Sequence, residues 1–165
     1  MPDTYQTLLF FHILGAFLIL AGAGAGTAAG IAMTRTNRVQ TIGTLAQIGH
    51  TAERYANIPG GILTFVFGTW LVNEGGWDFG ALWISLAYLI WFVAMGLGTG
   101  VLARFNKRVH ARADELTAEG IEESDELAAM ASARTGPITG NILHILTLAI
   151  LYLMIAKPRS EEHTS

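Results

Sequence analysis

Four long apolar runs, separated by polar intervals, dominate the pattern along the chain. They cover about 5–33, 56–73, 82–103 and 137–156. A bilayer core takes about 20 mostly apolar residues in helix, and a backbone in hydrocarbon must satisfy its own hydrogen bonds. The pattern therefore predicts an all-α, four-helix membrane bundle made of one domain, 1–165, with a polar tail at 157–165. The second run is short, and Ala56 begins it only if preceding helical residues are added.

Two polar intervals also read as helix. Thr36 or Asn37 can cap a stretch running to about Asn57, which "NIPGG" should break, because Pro59 disfavours helix at Ile58. The third run should continue through "NKRVHARADEL" until Gly120. Ser124, followed by Asp125 and Glu126, should start a further helix that meets Gly136-Pro137 with a stop or kink. The acidic run "EGIEESDE" reads as a solvated face.

Composition agrees with the pattern. Hydrophobic residues make up 52%, charged residues 14%, and mean hydropathy is +0.43. Soluble domains carry about 25% charged residues. The net charge of −3 gives no reason to invoke nucleic acid, and the absence of cysteine excludes disulfides, cysteine-held clusters and covalent haem. The first run is far longer than the ~7–15 apolar residues of a signal peptide and has no Lys or Arg before Arg35, so it is expected to be a retained helix.

Charge sets an expected orientation. Arg35, Arg38, Arg54, Arg104, Lys107, Arg108, Arg112 and Arg134 lie in the two long intervals, whereas the tail offers only Lys157 and Arg159. Positive charge stays inside, which puts both long intervals in the cytoplasm and both termini outside. Trp77 and Trp83 would form an aromatic belt at the outer boundary.

Two features inside the runs carry the functional question. Gly22, Gly26 and Gly30 recur every four residues above Gly15, a ribbon that lets helices approach closely within the bundle or in a homodimer or membrane complex. Gly96, Gly98 and Gly100 offer a similar patch on the third run. His12 lies on the ribbon's side and should face protein. His144 shares a helical face with Pro137, Gly140, Asn141, Thr147 and Leu151. Ionisable groups at such depth face the interior and mark functional sites. They can also be simple interhelical hydrogen bonds.

Neutral imidazoles are axial ligands for haem iron, so His12 and His144, with Asn141 beside them, are the candidate cofactor- and metal-binding residues, with haem b as the cofactor. His12 should lie about 10 Å deep from the outer boundary and His144 about 18 Å. His50 could form a separate inner site with Arg54 and Tyr55, or bind lipid phosphate with Arg54. His110 and His163 read as solvated. The methionines are too scattered for a copper array. No carboxylate falls in the middle of a run, which argues against a carboxylate proton relay.

"HILGA", "IPGGILTFVFGTWL" and "GWDFGALWISLAYLIWF" resemble a bacterial family of predicted integral membrane proteins, domain-of-unknown-function family 2269, over most of residues 5–156. That resemblance implies a multi-pass protein of the bacterial cytoplasmic membrane and no particular activity. The four-helix plan is more distantly similar to the copper-resistance protein D group and to the four-helix protoporphyrinogen oxidase. The latter implies haem b with a first-span histidine as ligand, here His12. Its pattern also has a lysine in the third span, and residues 82–103 contain none. Three functional classes follow: a b-type haem protein with a redox or haem-handling role, an accessory subunit without cofactor, and a small transporter lined by Asn141, His144 and Thr147.

Overall fold

The computed structural model describes residues 3–156, so the tail with Lys157, Arg159 and His163 lies outside the described residues. Five helices account for nearly all of them: α1 (Thr4–Met33), α2 (Val39–Glu74), α3 (Leu82–Ala118), α4 (Asp125–Ala131) and α5 (Thr135–Ala156). There is no strand among the described residues, and four helices are long and apolar enough to cross a membrane. The four-helix membrane plan is thus the observed one.

The expected break at "NIPGG" does not occur. A π-helical turn, Glu53–Asn57, carries α2 straight from its polar half into its apolar half. The wider i→i+5 turn tolerates Pro59 at the start of the next α-helical segment, where its missing N–H and its ring would otherwise disrupt the ladder. A second π turn, Gly98–Leu102, lies within α3 at the matching level. The anticipated continuation of α3 does occur. It ends at Gly120, whose φ of +74° lies in the left-handed region that glycine adopts freely.

Helix starts follow capping chemistry in two places. Asp3 accepts from the Gln6 N–H at 2.7 Å, and Ser124 Oγ accepts from the Leu127 N–H at 3.1 Å. The start of α2 departs from the expectation. Its N-cap is Arg38, with no side-chain cap, and neither Thr36 nor Asn37 fills that role. The Val39 N–H instead donates to Glu122 O at 2.9 Å, and the Ser124 N–H donates to Asn37 O at 2.9 Å. A one-pair antiparallel bridge, Arg38 to Glu123, therefore stitches together the two polar intervals.

Two cores result. At the charged end, here called the head, Val39, Ile42, Ala46, Val109, Ala113 and Leu127 enclose one another at no more than 1% exposure. Toward the short turn, Val72, Trp83 and Ile84 form a smaller cluster, with Trp77 edge-on to Trp83 at 5.6 Å. Between them the helices meet through backbone and rings. A methyl group on Gly15 would come 2.8 Å from Gly60 O, and one on Gly60 would come 2.7 Å from Gly15 O, so α1 and α2 touch main chain to main chain. Across from this contact, Phe65 of α2 lies against Trp91 of α3 at 4.7 Å, and Thr69 and Tyr88 share a 2.7 Å hydrogen bond.

Candidate functional site

Of the five buried residues of α1, Met33 joins the core of the head, and the other four, Leu8, Gly15, Gly22 and Ala29, recur at a spacing of seven. That is the seam of a coiled-coil-like contact, and it divides the glycine ribbon. Gly15 and Gly22 are consumed inside the bundle, against Gly60 and Asn57. Gly26 and Gly30 have nothing within 4 Å of where a side chain would start. Gly22 is therefore unavailable to a second chain, which corrects the expectation that Gly22, Gly26 and Gly30 act together.

His12 faces protein, as its helical phase required. The Nδ1–H donates to the Thr64 carbonyl at 3.0 Å, and the ring lies over Gly68, where a methyl group would come 3.0 Å from Nδ1 and Cε1. The bond fixes the tautomer and leaves Nε2 as the nitrogen with a free lone pair. A shallow groove of about 330 Å³ lies one turn away, lined by Thr4, Thr7, Leu8, Phe11, Phe67 and Trp70.

His144 is elsewhere. Its Nε2 shares a 3.2 Å hydrogen bond with Thr27 Oγ1 of α1. Thr27 is 15 residues beyond His12, about 22 Å along the same helix. The two imidazoles therefore cannot ligate one iron, and the paired-histidine haem site is not formed. His144 and Asn141 are also exposed on the flank of the bundle, against the expectation that both face inward. The reason lies in the phase of α5. Thr139 is its buried residue, and Gly136 rests on the Phe105 ring, so the polar face of 141 and 144 is turned away from that contact.

The inner cluster of His50, Arg54 and Tyr55 is likewise divided. Arg54 is exposed and stacks over the exposed Tyr55 ring at 5.9 Å. His50 keeps Nδ1 buried with no partner among the described residues. His110 is only half-solvated. Its Nε2 approaches Asp114 Oδ2 at 3.5 Å, while Nδ1 is buried beside Gly43.

The structure adds a group that the span boundaries hid. Because α2 is continuous, Glu53 lies within the bundle, 6% exposed. Its Oε2 accepts from Asn57 Nδ2 at 2.7 Å, and a methyl group on Gly98 would come 3.0 Å from Oε1. Asn57 Oδ1 points toward Gly22, buried and without a partner. Both π turns meet at this pair, and π turns recur at functional sites. A carboxylate is therefore buried among the helices just before the second apolar run, a group that the reading of the runs alone did not bring into the bundle. The sequence signal was "TAERYAN" itself, a helical stretch leading without a gap into the apolar run. No group of three or more His, Asp or Glu side chains arranged to hold a metal ion occurs among the described residues.

The family model for a predicted integral membrane protein (DUF2269) matches residues 6–158. The chain belongs to this family. Neither a curated protein nor a solved structure matches it. Membership establishes a multi-helix membrane protein and leaves the chemistry to be argued from the groups just described.

Proposed function

We propose that the protein is an accessory membrane subunit that works as a homodimer, paired through the α1–α5 flank. The carrying observation is the exposed polar seam of Asn141, His144 and Thr27 on two helices long and apolar enough to cross a membrane. Polar side chains in hydrocarbon are almost always covered by protein. Asn141 can both donate and accept, and the remaining His144 nitrogen, Nδ1, does one or the other according to the tautomer. Two copies about a two-fold axis can therefore satisfy each other without a different partner. Beside the seam, Gly26 and Gly30 leave α1 open for close approach. The charge asymmetry of the intervals supports a cytoplasmic head, and the family resemblance supports the bacterial cytoplasmic membrane as the location.

The chain lacks cysteine, which makes the test direct. A single Asn141→Cys variant in native membranes should give a disulfide-linked dimer on mild oxidation. Leu89→Cys, on the exposed face of α3, should not. Monomeric photobleaching statistics in lipid, with no crosslink at 141, would end the proposal.

A second reading keeps haem b with His12 as sole protein ligand. It is favoured by the Nδ1 bond to the Thr64 carbonyl, the arrangement that orients metal-bound histidines. Bound haem would supply one-electron chemistry, and His12 would present Nε2. A Soret band in the purified protein that is lost in His12→Ala would favour this reading. A band that persists in His12→Ala, or none after haem supplementation, would remove it.

A further inference from the structure

We propose that Glu53 is a buried proton-binding site loaded from the head side of the bundle. It lies level with Gly98, about 9 Å along α3 from Arg104, the first charged residue after the apolar run. A carboxylate removed from water to this degree must be paired with a cation or neutralised by a proton.

No cation faces it. On its own helix the neighbours are His50, one turn toward the head, and Asn57, one turn away from it. From α1 comes Gly22, and α1 carries no ionisable residue after His12. From α3 come Gly98 and, about two turns nearer the head, Asn106, which rests on Gly49 and is 7% exposed. Between 82 and 103 the only titratable side chain is Tyr88, held by Thr69. On α5 the nearest candidate is His144, engaged with Thr27. Arg54 is exposed and stacked on Tyr55. The ion pairs among the described residues involve only Arg112 and His110, both in the head.

The groups around Glu53 suit a proton. His50 carries a buried ring nitrogen with no partner, one turn from Glu53 on the head side. A neutral imidazole has one ring nitrogen that donates and one that accepts, so His50 can hand a proton to Glu53 while taking another from the head side. One His50 N–H bond breaks as the Glu53 O–H bond forms, and a new N–H bond restores the ring. The new O–H can then donate to Asn57 Oδ1, the oxygen that otherwise has no partner, once the amide turns end for end. Beyond Asn57 the interior is Gly60, Gly61 and Thr64, the last with its carbonyl already taken by His12. The buried indole N–H of Trp91, whose ring lies near Gly61, can donate but not accept, so it cannot carry a proton onward, which gives a site open to one side rather than a through path.

The test uses the whole protein in lipid nanodiscs with dicyclohexylcarbodiimide, an apolar reagent that modifies protonated carboxylic acids. Mass spectrometry should locate an adduct on Glu53, formed faster as pH falls and unchanged by sodium. Glu53→Gln should lose it, and Glu53→Asp should retain it. The infrared band of a protonated carboxyl group should also disappear in Glu53→Gln. If Glu53→Gln does not fold, the adduct map and pH profile of the native chain still decide. Absence of an adduct at Glu53, pH-independent labelling, protection by sodium, or equal modification by a water-soluble carbodiimide would each overturn the proposal.

Discussion

The head and the membrane half are built from the same helices yet obey different rules. In the head, Ile42, Val109 and Leu127 are completely enclosed, and Arg112 ties α3 to α4 through Glu126 at 3.4 Å. In the membrane half, Phe17 is 65% exposed and Leu148 64%. Water drives the first kind of packing, because burying apolar area there gains the hydrophobic free energy. Lipid tails give no such gain, so backbones meet where side chains are small and polar groups bond across helices. An exposed leucine in this half therefore signals nothing, whereas an exposed asparagine or histidine does.

Substitutions can test that contrast, beginning with the largest expected effect. Leu127→Ala opens a cavity in the enclosed head and should cost about 2–5 kcal/mol, read as a lowered unfolding midpoint in detergent. Leu148→Ala removes a similar side chain from the lipid surface and should leave the midpoint unchanged; equal losses would erase the distinction between the halves. Gly15→Leu forces bulk between touching backbones and should cost about 1–3 kcal/mol, while Gly26→Leu should leave the isolated chain as stable as before. A comparable loss at both positions would contradict the division of the ribbon. His144→Leu removes one interhelical hydrogen bond and should lower monomer stability by only about 0.6 kcal/mol, yet abolish the crosslink at 141. Arg112→Ala, at the head surface, should produce no resolvable change in midpoint.

The four spans, the continuation of α3 and the start of α4 at Ser124 were legible because each rests on local chemistry: a run of apolar residues, a glycine with positive φ, a hydroxyl cap. The inward face of His12 was legible from helical phase. The error at "NIPGG" came from treating proline as a terminator, when a π turn can accommodate it. That error divided a continuous helix and left Glu53 outside the bundle. The pairing of His12 with His144 failed because depth was counted from the outer boundary without knowing which residue of α1 lies opposite His144. The glycine ribbon was read at a spacing of four, but the contact with α2 uses seven.

The π turn in α2 also fixes how the two halves are rotated relative to each other. A π turn holds about one residue more than an α turn, which corresponds to roughly 100° of azimuth. Deleting Ala56 would let the strand of hydrogen bonds relax to ordinary α-helix and spin everything after it as a block. Gly60 and Thr64 would swing off α1, and His12 would lose its carbonyl. The length of this single segment thus acts as the phasing element of the molecule, setting which side chains the lipid-embedded portion presents to its neighbours.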